Sequence, residues 1–484
     1  MAFSRNRPPV SHVEQQASRA PDVARFVATM SAQAGFFSRG APITIARAPG
    51  RLDLMGGIAD YSGALVLELP LEAACLCASQ STTDRCVTVR SLVAEADEVT
   101  ISLDAFGPTG SPIHYDAARA LLVSQPARRW AAYVLGALVV LARERHIEVT
   151  HGLRVLIDSD VPLGKGVSSS AALEVAAMSA LCAEWQVELD GRELALLCQM
   201  VENRVVGAPC GVMDQMTASL GERDRLLALL CQPAEPQGHV ALPPELEVWG
   251  IDSGIRHEVG GADYGAVRVG AAMGYRIIAA VAGLSVRQLE EGYVEVDDPA
   301  WRGYLANVTP SEWAAAYRSA VPEALDGGSF LRRYGGVADP MSRVDAQRSY
   351  AVRQPTAHPI YEHQRVQRFR ALLETGAQRQ EQRLLLGELM YQSHESYNAC
   401  GLGSSGTDQL VALVRTAGPA AGLYGAKITG GGSGGVVAIL ARAGSHPAVE
   451  SIAREYERLT GRKAMALGGS SEGAMRFGTV RVSI

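Results

Sequence analysis

At 484 residues with 47% apolar content, the chain exceeds one ordinary core and suits a globular protein of two packed domains. A formal net charge of −6 and a sequence pI near 6.0 give no general attraction to nucleic acid or anionic membranes, which favours small-molecule work. The eight cysteines show no paired CxxC spacing for zinc and read as reduced core residues, and the longest apolar run, 131–142, is about half a membrane span, so a cytoplasmic location is expected.

In chain order, residues 1–40 read as an extension with a helical pattern over 13–35, and a strand starting at Ile43 opens the folded core. β-Rich segments follow over 65–69, 86–89 and 99–103, then an apolar helix over 129–142 and a strand over 152–158. An alanine-rich helix over 171–185 and a helix with one polar face over 193–206 come next. Proline and polar residues from 233 to 244 break the pattern before a strand restarts over 246–252, which places a domain boundary near 245. The first unit is then 41–245 and the second 246–484, the latter with helices over 262–282 and 379–397 and strands over 436–440 and 474–482. Its region 285–360 has no clear periodicity and reads as an inserted, lid-like segment.

Two glycine clusters hold the expected chemistry. Between a strand and a helix runs Pro162-Leu163-Gly164-Lys165-Gly166-Val167-Ser168-Ser169-Ser170-Ala171. Tight glycine turns, free N–H groups at a helix N-terminus and serine hydroxyls suit phosphate and Mg²⁺, although a serine-capped helix after a glycine turn would read the same way. The second cluster, Lys427-Ile428-Thr429-Gly430-Gly431-Gly432-Ser433-Gly434-Gly435, follows polar sequence and stands directly against the β-like run 436–440. Close approach to a substrate or phosphate needs such bare backbone.

No Walker loop GxxxxGK[ST] occurs, and Lys165 lacks the spacing for one. Three look-alikes fail on context. The segment Gly431-Gly432-Ser433-Gly434-Gly435 fits GxSxG, but a β-branched run follows it instead of a helix. A dinucleotide fingerprint over 401–406 follows a helical stretch instead of a strand, and His394-Glu395-Ser396-Tyr397-Asn398 lacks a zincin's second histidine.

Three ordered segments, Arg47 to Gly63, Pro162 to Leu173 and Lys427 to Gly435, together resemble the GHMP kinases. Within that family, Glu202 to Gln215 and Ile251 to Arg268 look like galactokinase segments. Arg51 to Gly63, Arg348 to Tyr350, His358 to Glu362 and Met390 to Leu410 look more like the kinase portion of plant-type arabinokinases. The resemblance implies an α+β, two-domain GHMP kinase fold, with an N-terminal ribosomal-protein-S5-domain-2-like domain and a C-terminal ferredoxin-like α/β domain. It implies ATP and Mg²⁺ as cofactors and a small sugar as the partner.

The same resemblance assigns roles. Asp214 would orient and deprotonate the sugar's anomeric hydroxyl, and Arg51 would hold Asp214 ionised while stabilising the moving phosphoryl group. Pro162, Gly164, Gly166, Val167, Ser168, Ser169, Ser170 and Ala171 would cradle the nucleotide, with Ser170 and Glu202 as Mg²⁺ ligands. Gly57, Asp60, Tyr61, Tyr264, Gly431 and Gly432 would join Asp214 around the sugar. Galactokinases carry glutamate and histidine where this chain has Gly57 and Ile58, and that glutamate bonds the hexose C6 hydroxyl. Losing the acceptor favours a sugar without C6, which makes L-arabinose phosphorylation at C1 the expectation. Galactose or a uronic acid, and a sugar- and ATP-binding sensor without turnover, stay open as alternatives.

Overall fold

In the computed structural model, residues 21–33, 35–93, 98–108, 111–255 and 262–483 are described. Residues 13–20 and 34 of the expected helix over 13–35 lie outside them, and within the rest runs the helix Pro21–Ala32, which buries Val23, Phe26 and Met30.

Strand β1 (Ile43–Met55) is buried at every position, Arg47, Arg51 and Asp53 included, so it runs through the interior with both faces covered. It pairs antiparallel with β2 (Leu65–Thr82), and the register slips between Pro49 and Arg51 and again between Asp53 and Met55. Proline has no N–H for the ladder, so the first irregularity falls where the sequence cannot pair. Such bulges re-aim the side chains beside them, and here they flank Arg51 and Asp53.

The first sheet continues through β3 (Cys86–Ser91), β4 (Glu98–Ser102) and β5 (Gly152–Ser159), with β6 (Arg225–Leu230) and β7 (Glu235–Ala241) branching from β2. Helices Ala132–Glu144 and Ser169–Glu184 fill one core against it, and the small alanine side chains of the second let it pack closely on β1 and β2.

Between residues 242 and 245 the chain leaves this sheet, and β8 (Leu246–Asp252) belongs to another. A small inserted unit then carries β9 (Val286–Glu290), β10 (Gly292–Val296), β11 (Ala324–Asp326), β12 (Gly336–Val337) and β13 (Ser349–Ala351). This region is more than a lid: Trp301, Trp313, Phe330 and Tyr350 form a core of their own against helix Ala262–Val281. Its last residues already belong to the long helix Arg353–Glu374.

The second sheet has the order β14 (Leu423–Ile428), β15 (Val436–Arg442), β8, β16 (Met465–Leu467), all antiparallel, backed by helices Ser405–Ala417 and His446–Thr460. Finally β17 (Thr479–Val482) returns to the first sheet beside β1.

Three local expectations need correction. The polar sequence before the second glycine cluster is β14, so that cluster is the turn of a β-hairpin. Helix Gly191–Met200 ends earlier than expected and continues as a π-helical turn, Val201–Val206, in which the Gly207 and Ala208 N–H groups both donate to the Glu202 carbonyl. Of the expected strand over 474–482, Ala474–Phe477 is a helical turn. Among the described residues no helix is long and apolar enough to cross a membrane.

Candidate active site

Where the two sheets meet, a cavity is lined by Arg51, Ile58 and Asp60 from β1 and the turn after it, by the glycine and serine loop, and by Glu202, Asp214, Tyr264, Gly430 and Gly431. Its floor is an ion-pair cluster. Arg51 Nη2 lies 2.6 Å and Nε 3.0 Å from Asp214 Oδ1, while Nη1 donates to the Gly166 carbonyl at 2.7 Å. Glu68 adds a second carboxylate 3.1 Å from Nε. Burial opposes the charge on Arg51, but Asp214, Glu68 and Asp53 outweigh it and hold the guanidinium above its ordinary value.

Asp214 sits in the first turn of helix Met213–Leu220 with a quarter of its side chain exposed, so one carboxylate oxygen is anchored and the group still reaches the cavity. Asp60 faces the same space. Burial first, and then the Asp214 charge, push its carboxyl up to about 7, against pulls from Arg268, the Tyr61 N–H and Arg51.

Another wall of the cavity is a helix N-terminus. Ser168 caps helix Ser169–Glu184 in the left-handed region, at φ 63°, and its buried hydroxyl has no hydrogen-bond partner. The first N–H groups of this helix and the positive end of its dipole stand at the cavity, an arrangement that binds anions. The hairpin turn between β14 and β15 closes the opposite wall. Gly430, at φ 66°, comes so close that a Cβ there would lie 2.8 Å from the Gly166 carbonyl oxygen, so only glycine lets the two loops touch. Val436 N–H donates to the Lys165 carbonyl, and Lys165 pairs with Asp252 at 2.9 Å, which fixes that contact further.

Glu202, turned inward by the π-helical turn, is buried beside Ser170. Burial and Asp214 push its carboxyl up to about 7, against hydrogen bonds from Cys210, Ser170 and Gln215. Gln215 Nε2 bridges Glu202 and the wholly buried Glu174, at 2.8 and 3.1 Å, and burial together with Glu202 raises Glu174 well above its usual range. Excess negative charge with an orphaned Glu174 Oε1 is what a cation would relieve, so the donor set fits Mg²⁺. Among the described residues no group of three or more His, Cys, Asp or Glu side chains could hold a metal alone, so a cation here would complete its shell from phosphate and water.

The family model for the GHMP kinases N terminal domain matches residues 132–222, and the galactokinase galactose-binding signature matches residues 34–80. A galactokinase from Chloroflexus aggregans is 32% identical over 83% of this chain and 85% of its own length. The chain belongs to the GHMP kinase family. An L-arabinokinase from Arabidopsis thaliana is 44% identical over 93% of this GHMP kinase, which spans about half (48%) of that plant protein's length. The solved Lactococcus lactis galactokinase, complexed with galactose, shares the fold, with a TM-score of 0.71 at 18% identity, covering 95% of this chain and all of that one. A mevalonate kinase also shares it, with a TM-score of 0.53 at 14% identity over 88% of this chain and 99% of that one.

Within this GHMP kinase, Arg51, Asp60, Gly164, Gly166, Ser168, Ser169, Ser170, Glu202, Asp214, Tyr264 and Gly431 come together around one cavity. Pro162, Val167, Ala171, Gly57, Tyr61 and Gly432 are not among the residues that line it. Val167 and Ala171 are core residues, the Val167 carbonyl receiving the Arg51 N–H at 3.1 Å. Tyr61 packs edge-on against Tyr264 and beneath Arg268, which is itself held by Asp339 of the inserted unit at 2.7 Å. Gly57 faces Tyr397, and Gly432 packs on Leu402 and Tyr397.

Several supporting residues escape a sequence reading. Asp53 and Lys427, both wholly buried, pair at 2.6 Å and join β1 to β14, and Asp53 also accepts the Gly57 N–H at 2.9 Å. Lys427 beside the glycine cluster was the available signal, but only the fold brings it to Asp53.

Proposed function

We propose that this protein transfers the γ-phosphoryl group of ATP to the anomeric hydroxyl of L-arabinose, giving L-arabinose 1-phosphate. The observation that carries this reading is the Arg51–Asp214 pair set in one cavity with an anion-binding helix N-terminus and a second carboxylate, Asp60. ATP phosphates would lie on the N–H groups and hydroxyls of Ser168, Ser169 and Ser170, with the Gly164 and Gly166 backbone beside them. Ser170 and Glu202 would hold Mg²⁺, which when bound neutralises charge on the phosphates.

Asp214 is anchored through Oδ1, which leaves its other oxygen to accept the proton of the attacking hydroxyl. Arg51 keeps that carboxylate charged and sits where charge builds on the transferred group. Asp60, Tyr264 and the bare Gly430-Gly431 backbone would orient the sugar ring, and the two meeting walls exclude water that would otherwise hydrolyse ATP. Arabinose is preferred because the chain has glycine and isoleucine at 57 and 58, which leave no side-chain acceptor there for a C6 hydroxyl, and because it resembles the plant L-arabinokinase throughout. Galactose is the second reading, favoured by the galactokinase signature over residues 34–80.

Incubation of the purified protein with Mg-ATP and a sugar panel, read as ADP release, should show L-arabinose well ahead of galactose and uronic acids. Equal or reversed rates would refute the specificity. Asp214→Asn should lower kcat by about 10³-fold while the protein stays folded, and unchanged turnover would remove Asp214 from the role of base.

A further inference from the structure

Ile58 and Gly430 both line the cavity at its proposed sugar end, one on the turn after β1, the other on the hairpin of the second sheet. Both are held by the same atom. The Tyr397 hydroxyl accepts the Ile58 N–H at 2.9 Å and donates to the Gly430 carbonyl at 2.9 Å. Tyr397 comes from helix Gln380–Ala399, is wholly buried, and is packed edge-on by His358 and faced by the Lys427 ammonium 5.3 Å from its ring centre. The ring therefore has no room to swing, and the hydroxyl acts as a strut of fixed length between two wall residues.

The same hydroxyl fills the space next to position 57. A Cβ on Gly57 would lie 1.5 Å from the Tyr397 oxygen, 2.8 Å from its Cζ and 2.7 Å from Asp53 Oδ2, on a backbone already at φ 45°. A side chain at 57 and a tyrosine at 397 are thus mutually exclusive. Gly57 is accordingly more than a missing acceptor: its absent side chain is replaced in space by a residue about 340 positions later.

We propose that Tyr397 is a positioning and specificity-determining residue. Its hydroxyl pins Ile58 to Gly430 and occupies the room of a residue-57 side chain, which fixes the cavity at pentose size and closes that corner to a sugar bearing an exocyclic hydroxymethyl group. The identity of the ligand rests on the sugar-kinase reading above, whereas the strut does not.

Tyr397→Phe removes the strut and keeps the ring. It should raise KM for the pentose, leave KM for ATP unchanged and kcat within about threefold, and lower the pentose-to-hexose ratio of kcat/KM about tenfold. A folded Tyr397→Phe protein with an unaltered ratio would overturn the proposal. Thermal unfolding gives a readout independent of activity. Gly57→Ala should lower Tm markedly in the natural protein and much less when combined with Tyr397→Leu, and equal losses in the two backgrounds would overturn the claim that Tyr397 occupies that space. If the unaltered protein phosphorylated no sugar, the functional reading would fail, and the thermal comparison would still judge the packing of Tyr397 against Gly57.

Discussion

Three carboxylates and one guanidinium set the chemistry of this cavity at the scale of single residues. Arg51 is ion-paired with Asp214 and Glu68, while Asp60 is pushed up to about 7, first by burial and then by the Asp214 charge, which the pull of Arg268 and Arg51 does not offset. Between the ordinary aspartate value of 3.8 and about 7, the folded protein keeps a proton on Asp60 that the unfolded chain has lost. That stabilisation is complete below the lower value and is lost as pH rises through the upper one. Glu202, also raised to about 7, adds in the same direction. Asp60→Asn should therefore flatten the decline of Tm between pH 5 and 8 and raise Tm at pH 8, while weakening sugar binding. A series of thermal melts across that range checks it, and an unchanged slope would show that Asp60 is ordinary. That Asp214 and Asp60 belong to one site was readable from their motifs, and both line the cavity, but their mutual repulsion was not, because it depends on a distance between residues more than 150 positions apart.

At the scale of elements, the site is held by one strand from each sheet. Asp53 of β1 and Lys427 of β14 are buried together, with Asp53 also receiving the N–H groups of Gly57 and Gly430 at 2.9 and 3.3 Å. Lys427→Met leaves an unpaired buried carboxylate and should cost about 3–5 kcal/mol of stability. The double variant Asp53→Asn/Lys427→Met should recover much of it, as measured by urea unfolding. The same pair explains an element that sequence reading misses. A lysine inside Leu423–Ile428 reads as turn-forming polarity, and only the partner on β1 makes it a core residue of a strand. The π-helical turn at Val201–Val206 escaped for a similar reason, since residues 193–206 keep a helical pattern while the hydrogen bonds shift by one residue to turn Glu202 inward. By contrast β8 and the helices packed on the first sheet were legible, because their apolar runs are long and bounded by clear breaks.

At the scale of the whole molecule, the cavity exists only because two sheets close on each other. The chain moves to the second sheet after β7 and comes back as β17 beside β1, which leaves the first sheet depending on the last residues of the sequence. Local patterns carry no trace of that return, or of the packed core in the inserted unit, whose buried tryptophans are scattered without periodicity. Legible in the sequence were the glycine- and serine-rich loops that meet at the cavity and that the proposed function sets against phosphate, since bare backbone and small hydroxyls suit close approach. In the proposed function these loops deliver a phosphoryl group to the anomeric oxygen of a pentose. Its most direct test is NMR of the product formed from L-arabinose and Mg-ATP. One phosphorylated product is expected, with phosphorus coupled to the anomeric carbon and its proton; a phosphate on another hydroxyl, or ADP formed with no sugar phosphate, would overturn the proposed function.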